Sequence, residues 1–215
     1  MFVLILKKLS YICFLCLCLF FMLAWWVKKG LGLLSFFDGK MDGFIRGFHD
    51  ERLISIAKVI SHLGSYRFCL LLTLILALVL LLNRYYLTSF VLFSAFIGTR
   101  VLRNFFKDVI ERPRPEFSLI KNHGKSFPSG HILYASMFYG FVLCIIWYVL
   151  MKNRNKGMAG FACLLFVIIL SSVGASRVYL GAHYTSDILG GFFLGIACLT
   201  FTFMVLIQIW KKGWH

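Results

Sequence analysis

Long apolar runs separated by short basic segments constrain this chain more than any other feature of its sequence. A helix of about 20 apolar residues spans the roughly 30 Å hydrocarbon core of a bilayer. Six runs approach or reach this length: residues 9–27, 69–82, 87–102, 132–151, 158–175 and 188–210. With 60% hydrophobic residues, the chain is too apolar for a soluble domain of its size. We therefore predict an all-α integral membrane bundle of six transmembrane helices, forming a single domain over residues 1–215.

The first apolar run is predicted to be an uncleaved membrane span. Lys7 and Lys8 precede it, as they would in a signal peptide. A signal peptide ends at a cleavage site of small residues, but Trp25, Trp26 and Lys28 occupy that place here. Aromatic and basic residues at the end of a span instead anchor it at the membrane–water interface.

Residues 30–65 have a mixed composition that differs from the spans on either side. Phenylalanines such as Phe36 and Phe44 alternate with charged residues that include Asp38 and Arg46. This pattern predicts an amphipathic segment that lies along the bilayer surface. We expect its charged residues, Asp38 included, to face solvent.

The chain is strongly basic, with 23 Lys and Arg against 8 Asp and Glu and a net charge of +15. Because these charges lie in short segments between spans, they predict contact with anionic lipid headgroups or a phosphate substrate. We predict no nucleic-acid partner, and nothing in the sequence indicates an obligate protein partner. The seven cysteines all fall within apolar runs. Cys13 and Cys16 are therefore interpreted as small packing residues rather than metal ligands or a redox pair.

Three polar clusters interrupt the apolar pattern between residues 107 and 187. They are Lys107 with Arg114, then Ser129-Gly130-His131, and finally Arg177 with His183 and Asp187. The first two clusters lie between predicted spans three and four, and the last lies between spans five and six. Two crossings separate the two loops, so all three clusters are predicted to lie on the same face of the membrane.

The residue types in these clusters suit the binding of a phosphate group. Arginine offers paired planar donors and lysine a point charge, and Lys107, Arg114 and Arg177 supply both kinds. Ser129 and Gly130 stand where the fourth span begins. Free backbone N–H groups at a helix start bind anions, and a glycine lets the anion approach closely.

Two histidines and one aspartate predict nucleophilic chemistry at the bound phosphate. His183 and Asp187 are four residues apart, so the carboxylate can accept from one ring nitrogen and leave the other free to attack phosphorus. His131 is predicted to protonate the leaving oxygen. No cluster of carboxylates offers metal ligands here, so we expect neither a metal nor another cofactor.

The motifs Lys107-x6-Arg114-Pro115, Pro128-Ser129-Gly130-His131 and Ser176-Arg177-x5-His183-x3-Asp187 resemble the three-part signature of the type 2 phosphatidic acid phosphatase (PAP2) superfamily. The resemblance implies a metal-independent lipid phosphatase that works through a phosphohistidine. His183 would be the nucleophile, Asp187 its partner and His131 the acid. The implied phosphate ligands are Lys107, Arg114, Ser129, Gly130 and Arg177.

The resemblance also implies substrates and an orientation. Undecaprenyl pyrophosphate and phosphatidylglycerol phosphate are the substrates that such relatives suggest. In similar bacterial members the site faces away from the cytoplasm, so we expect a multi-pass protein of the cell membrane with an extracytoplasmic active site. The predicted topology places fifteen Lys and Arg on the site side and eight on the other. The positive-inside rule alone would favour the opposite orientation.

Two other functions remain open from the sequence. One is a lipid phosphotransferase that passes the phosphate to a lipid acceptor, and the other is a non-catalytic protein that binds or transports anionic lipids. Arg112 does not fit the seven-residue spacing from Lys107, so we interpret it as a membrane-surface anchor. Arg100, Arg103 and Lys125 are candidates for further positive charges around the site.

Overall fold

The computed structural model describes residues 2–47, 50–121 and 123–211 of the chain. Within these residues all regular secondary structure is α-helical, which confirms the predicted all-α class. The helices are α1 (Phe2–Lys29), α2 (Gly32–Arg46), α3 (Glu51–Leu63), α4 (Tyr66–Leu82), α5 (Tyr86–Ile110), α6 (Gly130–Lys152), α7 (Lys156–Tyr179) and α8 (Thr185–Lys211).

Five helical stretches in the described residues are long and apolar enough to cross a membrane. They are Val3–Lys29, Glu51–Leu82, Gly130–Met151, Lys156–Tyr179 and Thr185–Lys211. The second stretch joins α3 and α4, so the apolar character begins earlier than the predicted span of 69–82. Helix α5 is 25 residues long. Its second half carries Arg100, Arg103 and Lys107, which make it more polar than the other long helices.

The break between α3 and α4 follows from local sequence. Ser65 caps α4, because its side chain accepts a hydrogen bond from the N–H of Phe68. At Gly64 the chain passes so close to its neighbours that an added Cβ would lie 2.6 Å from a methyl group of Val173 and 2.9 Å from the carbonyl oxygen of His131. Glycine therefore brings α3 against both α7 and the start of α6.

Helices α6 and α8 pack closely through small residues of α8. A Cβ at Gly191 would lie 2.5 Å from the carbonyl oxygen of Ser129, and one at Gly195 would lie 2.6 Å from Cβ of Ser136. The four-residue spacing of these glycines predicts such packing, and the structure confirms it. On the other side of α8, Cys13 and Cys16 of α1 are buried against Ala197, as expected for packing residues.

The two loops that carry the polar clusters lie against each other. The N–H of Leu119 donates to the carbonyl of Leu180 at 3.0 Å, and the N–H of Ser129 donates to the carbonyl of Asp187 at 3.0 Å. Gly181 has a φ of +65°, and a Cβ there would lie 2.2 Å from the carbonyl oxygen of Phe117. Only glycine satisfies both conditions, so this residue lets the two loops meet.

The α6–α8 contact gives a first testable prediction. Gly191→Ala should lower the stability of the protein by about 1–3 kcal/mol, because the new methyl group meets a backbone oxygen that cannot move aside. Gly160→Ala on α7 is the matched control, since a Cβ there meets nothing within 4 Å. Thermal unfolding of both variants in one detergent measures the difference. Equal melting temperatures would contradict the close contact.

Candidate active site

His183 and Asp187 form a buried pair at the start of α8. His183 lies in the loop before the helix and Asp187 in its first turn. Nδ1 of His183 is 3.3 Å from Oδ2 of Asp187, and the same oxygen accepts the backbone N–H of Tyr184 at 3.0 Å. A carboxylate at Nδ1 favours the tautomer with its proton there. Nε2 of His183 is then left with a free electron pair.

The surroundings keep His183 uncharged. Burial lowers the pKa of His183 well below its usual value, and the nearby charges of Arg177, Arg114 and Lys107 lower it further. At neutral pH the imidazole is therefore unprotonated. This is the form that a nucleophilic histidine needs.

The cations around His183 are held by uncharged partners. Lys107 donates to the carbonyl of Lys125, and Arg114 donates to the carbonyls of Ala182 at 2.6 Å and Gly124 at 3.1 Å. Arg177 donates to Oγ of Ser61 at 2.8 Å. These hydrogen bonds to carbonyl and hydroxyl oxygens orient the three side chains without themselves bringing a negative charge to them. The cluster therefore favours binding of an anion.

The start of α6 supplies the remaining predicted residues. Ser129 precedes the first turn, and its buried Oγ has no hydrogen-bond partner among the residues that the structure describes. Gly130 begins the helix and His131 follows, half-buried and close enough to Arg177 for the charge of this arginine to act on it. The structure thus brings the eight predicted residues to one place, while their roles remain predictions.

Two further residues, Arg112 and Asp38, belong to the site, and the positions predicted for them from the sequence are wrong. Nη1 of Arg112 donates to Oδ1 of Asp187 at 2.7 Å, and Nη2 donates to Oδ2 of Asp38 at 2.7 Å. The guanidinium also lies over the ring of Tyr184, 4.1 Å from its centroid. The expectation that Arg112 is a membrane-surface anchor is therefore wrong. It is the charged partner of the buried Asp187.

Asp38 faces the protein interior rather than solvent. It is 2% exposed, and it accepts hydrogen bonds from the N–H of Ser186 at 3.0 Å and from its Oγ at 2.6 Å. The expectation of a solvent-facing Asp38 is wrong for this residue. One signal was available: Asp38 has the helical spacing of Leu34 and Met41, so it shares the apolar face of α2.

The other candidate cations have different surroundings. Arg100 lies over the ring of Tyr66, 4.1 Å from its centroid. Lys125 is partly exposed and pairs with Glu111 at 2.7 Å and Asp108 at 3.3 Å. Arg103 lies against Gly130, at the start of α6.

Fold and site together describe a helical membrane protein with a group of cations around a buried His–Asp pair. Residues 88–211 match the family model of the PAP2 superfamily. The chain belongs to this superfamily and is a phosphatase.

Individual relatives agree with this assignment. The chain is 36% identical over 143 residues to phosphatidylglycerophosphatase B of Bacillus subtilis (strain 168), covering 64% of this chain and 67% of the relative. It is 26% identical over 140 residues to lipid phosphate phosphatase 2 of Arabidopsis thaliana, covering 53% of this chain and 48% of the relative. It also resembles the crystal structure of a transmembrane PAP2-type phosphatidylglycerolphosphate phosphatase from Bacillus subtilis. The TM-score is 0.79 at 27% identity, over 94% of this chain and 97% of that one.

The contacts of Asp38 give a second prediction. Asp38→Asn should lower kcat by about tenfold or more with little change in KM, because Arg112 then shifts toward Asp187 and the His183–Asp187 pair loses its position. The matched control is Asp50→Asn, the same change at the exposed cap of α3, where Asn caps as well as Asp. The kcat and KM of both variants are measured from the release of inorganic phosphate. Full activity of Asp38→Asn in folded protein would contradict this role.

Proposed function

We propose that this phosphatase removes the terminal phosphate of a membrane lipid through a phosphohistidine on His183. The observation that carries the proposal is the buried His183–Asp187 pair, which lies beside Lys107, Arg114 and Arg177 so closely that their positive charges act on His183. A binding protein for anionic lipids needs the cations but not an oriented, uncharged imidazole. The arrangement therefore favours catalysis over binding or transport.

In the first step, Nε2 of His183 attacks phosphorus and the bond to the leaving oxygen breaks. Asp187 holds the Nδ1 proton and stabilises the positive charge that develops on the ring. The bound phosphate anion offsets the surrounding cations and so favours the protonated form of His131, which gives its proton to the leaving oxygen. Lys107, Arg114 and Arg177 stabilise the charge on the transferred phosphoryl oxygens, together with Oγ of Ser129 and the N-terminus of α6 at Gly130.

In the second step, water attacks the phosphohistidine. His131, now neutral, takes a proton from the attacking water, and the bond between Nε2 and phosphorus breaks. Inorganic phosphate leaves, and His183 regains its electron pair. The reaction needs no other reactant. The side-chain cations provide the positive charge that a metal ion provides in other phosphatases.

We propose six transmembrane helices, namely α1, α4, α5, α6, α7 and α8, with α2 near the bilayer surface. A helix of 25 residues is about 37 Å long, so α5 is long enough to cross. Its first half exposes apolar side chains such as Phe90 and Phe93. In this arrangement two membrane crossings, α6 and α7, separate the loop after α5 from the loop after α7. Both loops then lie on the same face of the membrane, which agrees with the contact between them. The site is proposed to open on the extracytoplasmic face of the cell membrane.

Phosphatidylglycerol phosphate is the first substrate to test, because two relatives are named as phosphatases of this lipid. Undecaprenyl pyrophosphate is the second. Both lipids present a terminal phosphate at the membrane surface. The cationic pocket at the helix ends supports substrates of this kind.

The mechanism predicts phosphate release that survives EDTA and disappears in His183→Ala. The control is His62→Ala, which removes an exposed histidine of α3. Purified protein in detergent is assayed with phosphatidylglycerol phosphate, undecaprenyl pyrophosphate and phosphatidic acid. Activity that survives in His183→Ala would contradict the phosphohistidine. Phosphate transfer to a second lipid without release of inorganic phosphate would indicate the phosphotransferase instead.

The lowered pKa of His183 predicts how activity depends on pH. Protonation of His183 removes the nucleophile, so kcat/KM falls on the acid side. Arg114 is one of the charges that lower this pKa. Arg114→Gln should raise the pKa of His183 and move the acid limb of kcat/KM to higher pH. The wild-type and Arg114→Gln proteins act on the same substrate, so ionisation of the substrate phosphate affects both pH profiles equally. If the acid limb of Arg114→Gln lies at the same pH as in the wild type, or at a lower pH, the assignment of this limb to His183 is contradicted.

A further inference from the structure

We propose that Arg103 and the cavity beside Lys107 form a second anion subsite, which selects lipids that carry another phosphate next to the one removed. This inference rests on the proposed phosphatase function. The inference adds a substrate class to that function: lipid diphosphates and lipids with both a terminal phosphate and a phosphodiester. A lipid with a single phosphate would leave the subsite empty.

The cavity adjoins the site through a shared residue. Its volume is about 370 Å³, enough for a phosphate and its neighbouring groups. It is lined by Arg103, Asn104, Lys107, Asp108, His123, Gly124 and Lys125. Lys107 is also one of the cations around His183. An anion bound in the cavity would therefore lie next to the phosphate in the site.

Arg103 lies between the cavity and the start of α6. It precedes Lys107 by four residues on α5, so both side chains share one face of the helix. A Cβ at Gly130 would lie 2.5 Å from Nε of Arg103, which means that glycine makes room for this side chain. The charge of Arg103 acts on His131 as well as on His183.

The guanidinium of Arg103 has unused donor capacity. Nη1 donates to Oδ1 of Asn104 at 2.9 Å. Nε is buried and has no hydrogen-bond partner among the described residues. A buried N–H without an acceptor is costly, and an anion in the cavity would supply one.

The carboxylates near the cavity are already engaged elsewhere. Asp108 and Glu111 both pair with Lys125 at the exposed rim. In the part of the chain that the structure describes, no ion pair joins either acid to Arg103 or Lys107. The two inner cations of the cavity therefore remain available for an anionic ligand.

The position of Arg103 fits the leaving group of the proposed reaction. The leaving oxygen departs on the side opposite His183, where His131 donates its proton. In a diphosphate or a phosphodiester-containing lipid, the second phosphate belongs to this leaving group. Arg103 packs against Gly130, the residue before His131. It is therefore placed to bind that phosphate rather than the one being transferred.

The test compares Arg103→Gln with the wild-type protein on three lipids. We expect kcat/KM for phosphatidylglycerol phosphate and undecaprenyl pyrophosphate to fall about 10- to 100-fold, the effect of losing a hydrogen bond to a charged group. For phosphatidic acid we expect a change of less than threefold. Arg103→Lys should retain part of the preference because it keeps the charge. Arg100→Gln is the matched control, since Arg100 lies one turn earlier on α5 and stacks on Tyr66.

Each outcome has a separate meaning. Equal losses for all three lipids, or no loss for any, would overturn the subsite. Wild-type protein that releases no phosphate, or His183→Ala protein that still does, would overturn the proposed function instead. If Arg103→Gln does not fold, inhibition of wild type and Arg103→Lys by inorganic pyrophosphate and phosphate decides the question. Pyrophosphate should inhibit wild type more strongly, with a smaller preference in Arg103→Lys, and equal inhibition of wild type would refute the inference.

Discussion

The guanidinium of Arg112 joins two buried carboxylates, and the geometry of the site depends on this interaction. Asp187 is fully buried, and an isolated carboxylate would be very costly there. Arg112 supplies the opposite charge and holds one oxygen of Asp187, which leaves the other oxygen for His183. Asp38 binds the second nitrogen of the same guanidinium and so limits how far it can turn. The orientation of the imidazole thus depends on α2, a helix far from it in sequence.

The cations on the other side of His183 are held differently. Among the described residues Lys107 and Arg114 donate hydrogen bonds to carbonyl oxygens, and neither pairs directly with a carboxylate. The cations repel one another when no ligand is bound. An anion that binds among them is strongly stabilised, because charges interact strongly at low dielectric. The site therefore separates two functions. Carboxylates balance Arg112 and orient His183, while the proposed phosphate ligands Lys107 and Arg114 pair with no carboxylate among the described residues.

Much of this site could be predicted from spacing alone. The intervals between Lys107 and Arg114, and between Arg177, His183 and Asp187, identified residues that the fold brings together. The same criterion excluded Arg112, because its role arises from a contact with Asp38, 74 residues away. No local pattern encodes such a pairing. Likewise, the apolar run of α5 predicts a helix only to residue 102. The structure continues it to Ile110, which places Arg103 and Lys107 on one face.

The polarity of α2 supports the proposed position of this helix at the bilayer surface. Asp38 fixes one face of this helix to Ser186 and Arg112, while Phe36, Phe37 and Phe44 are exposed. Exposed aromatic side chains on an amphipathic helix favour the boundary between headgroups and acyl chains. In the proposed position at the bilayer surface, this single helix would contact both the lipid and the residues that hold Asp187. Its contacts with Ser186 and Arg112 would then fix the height of the site relative to that surface.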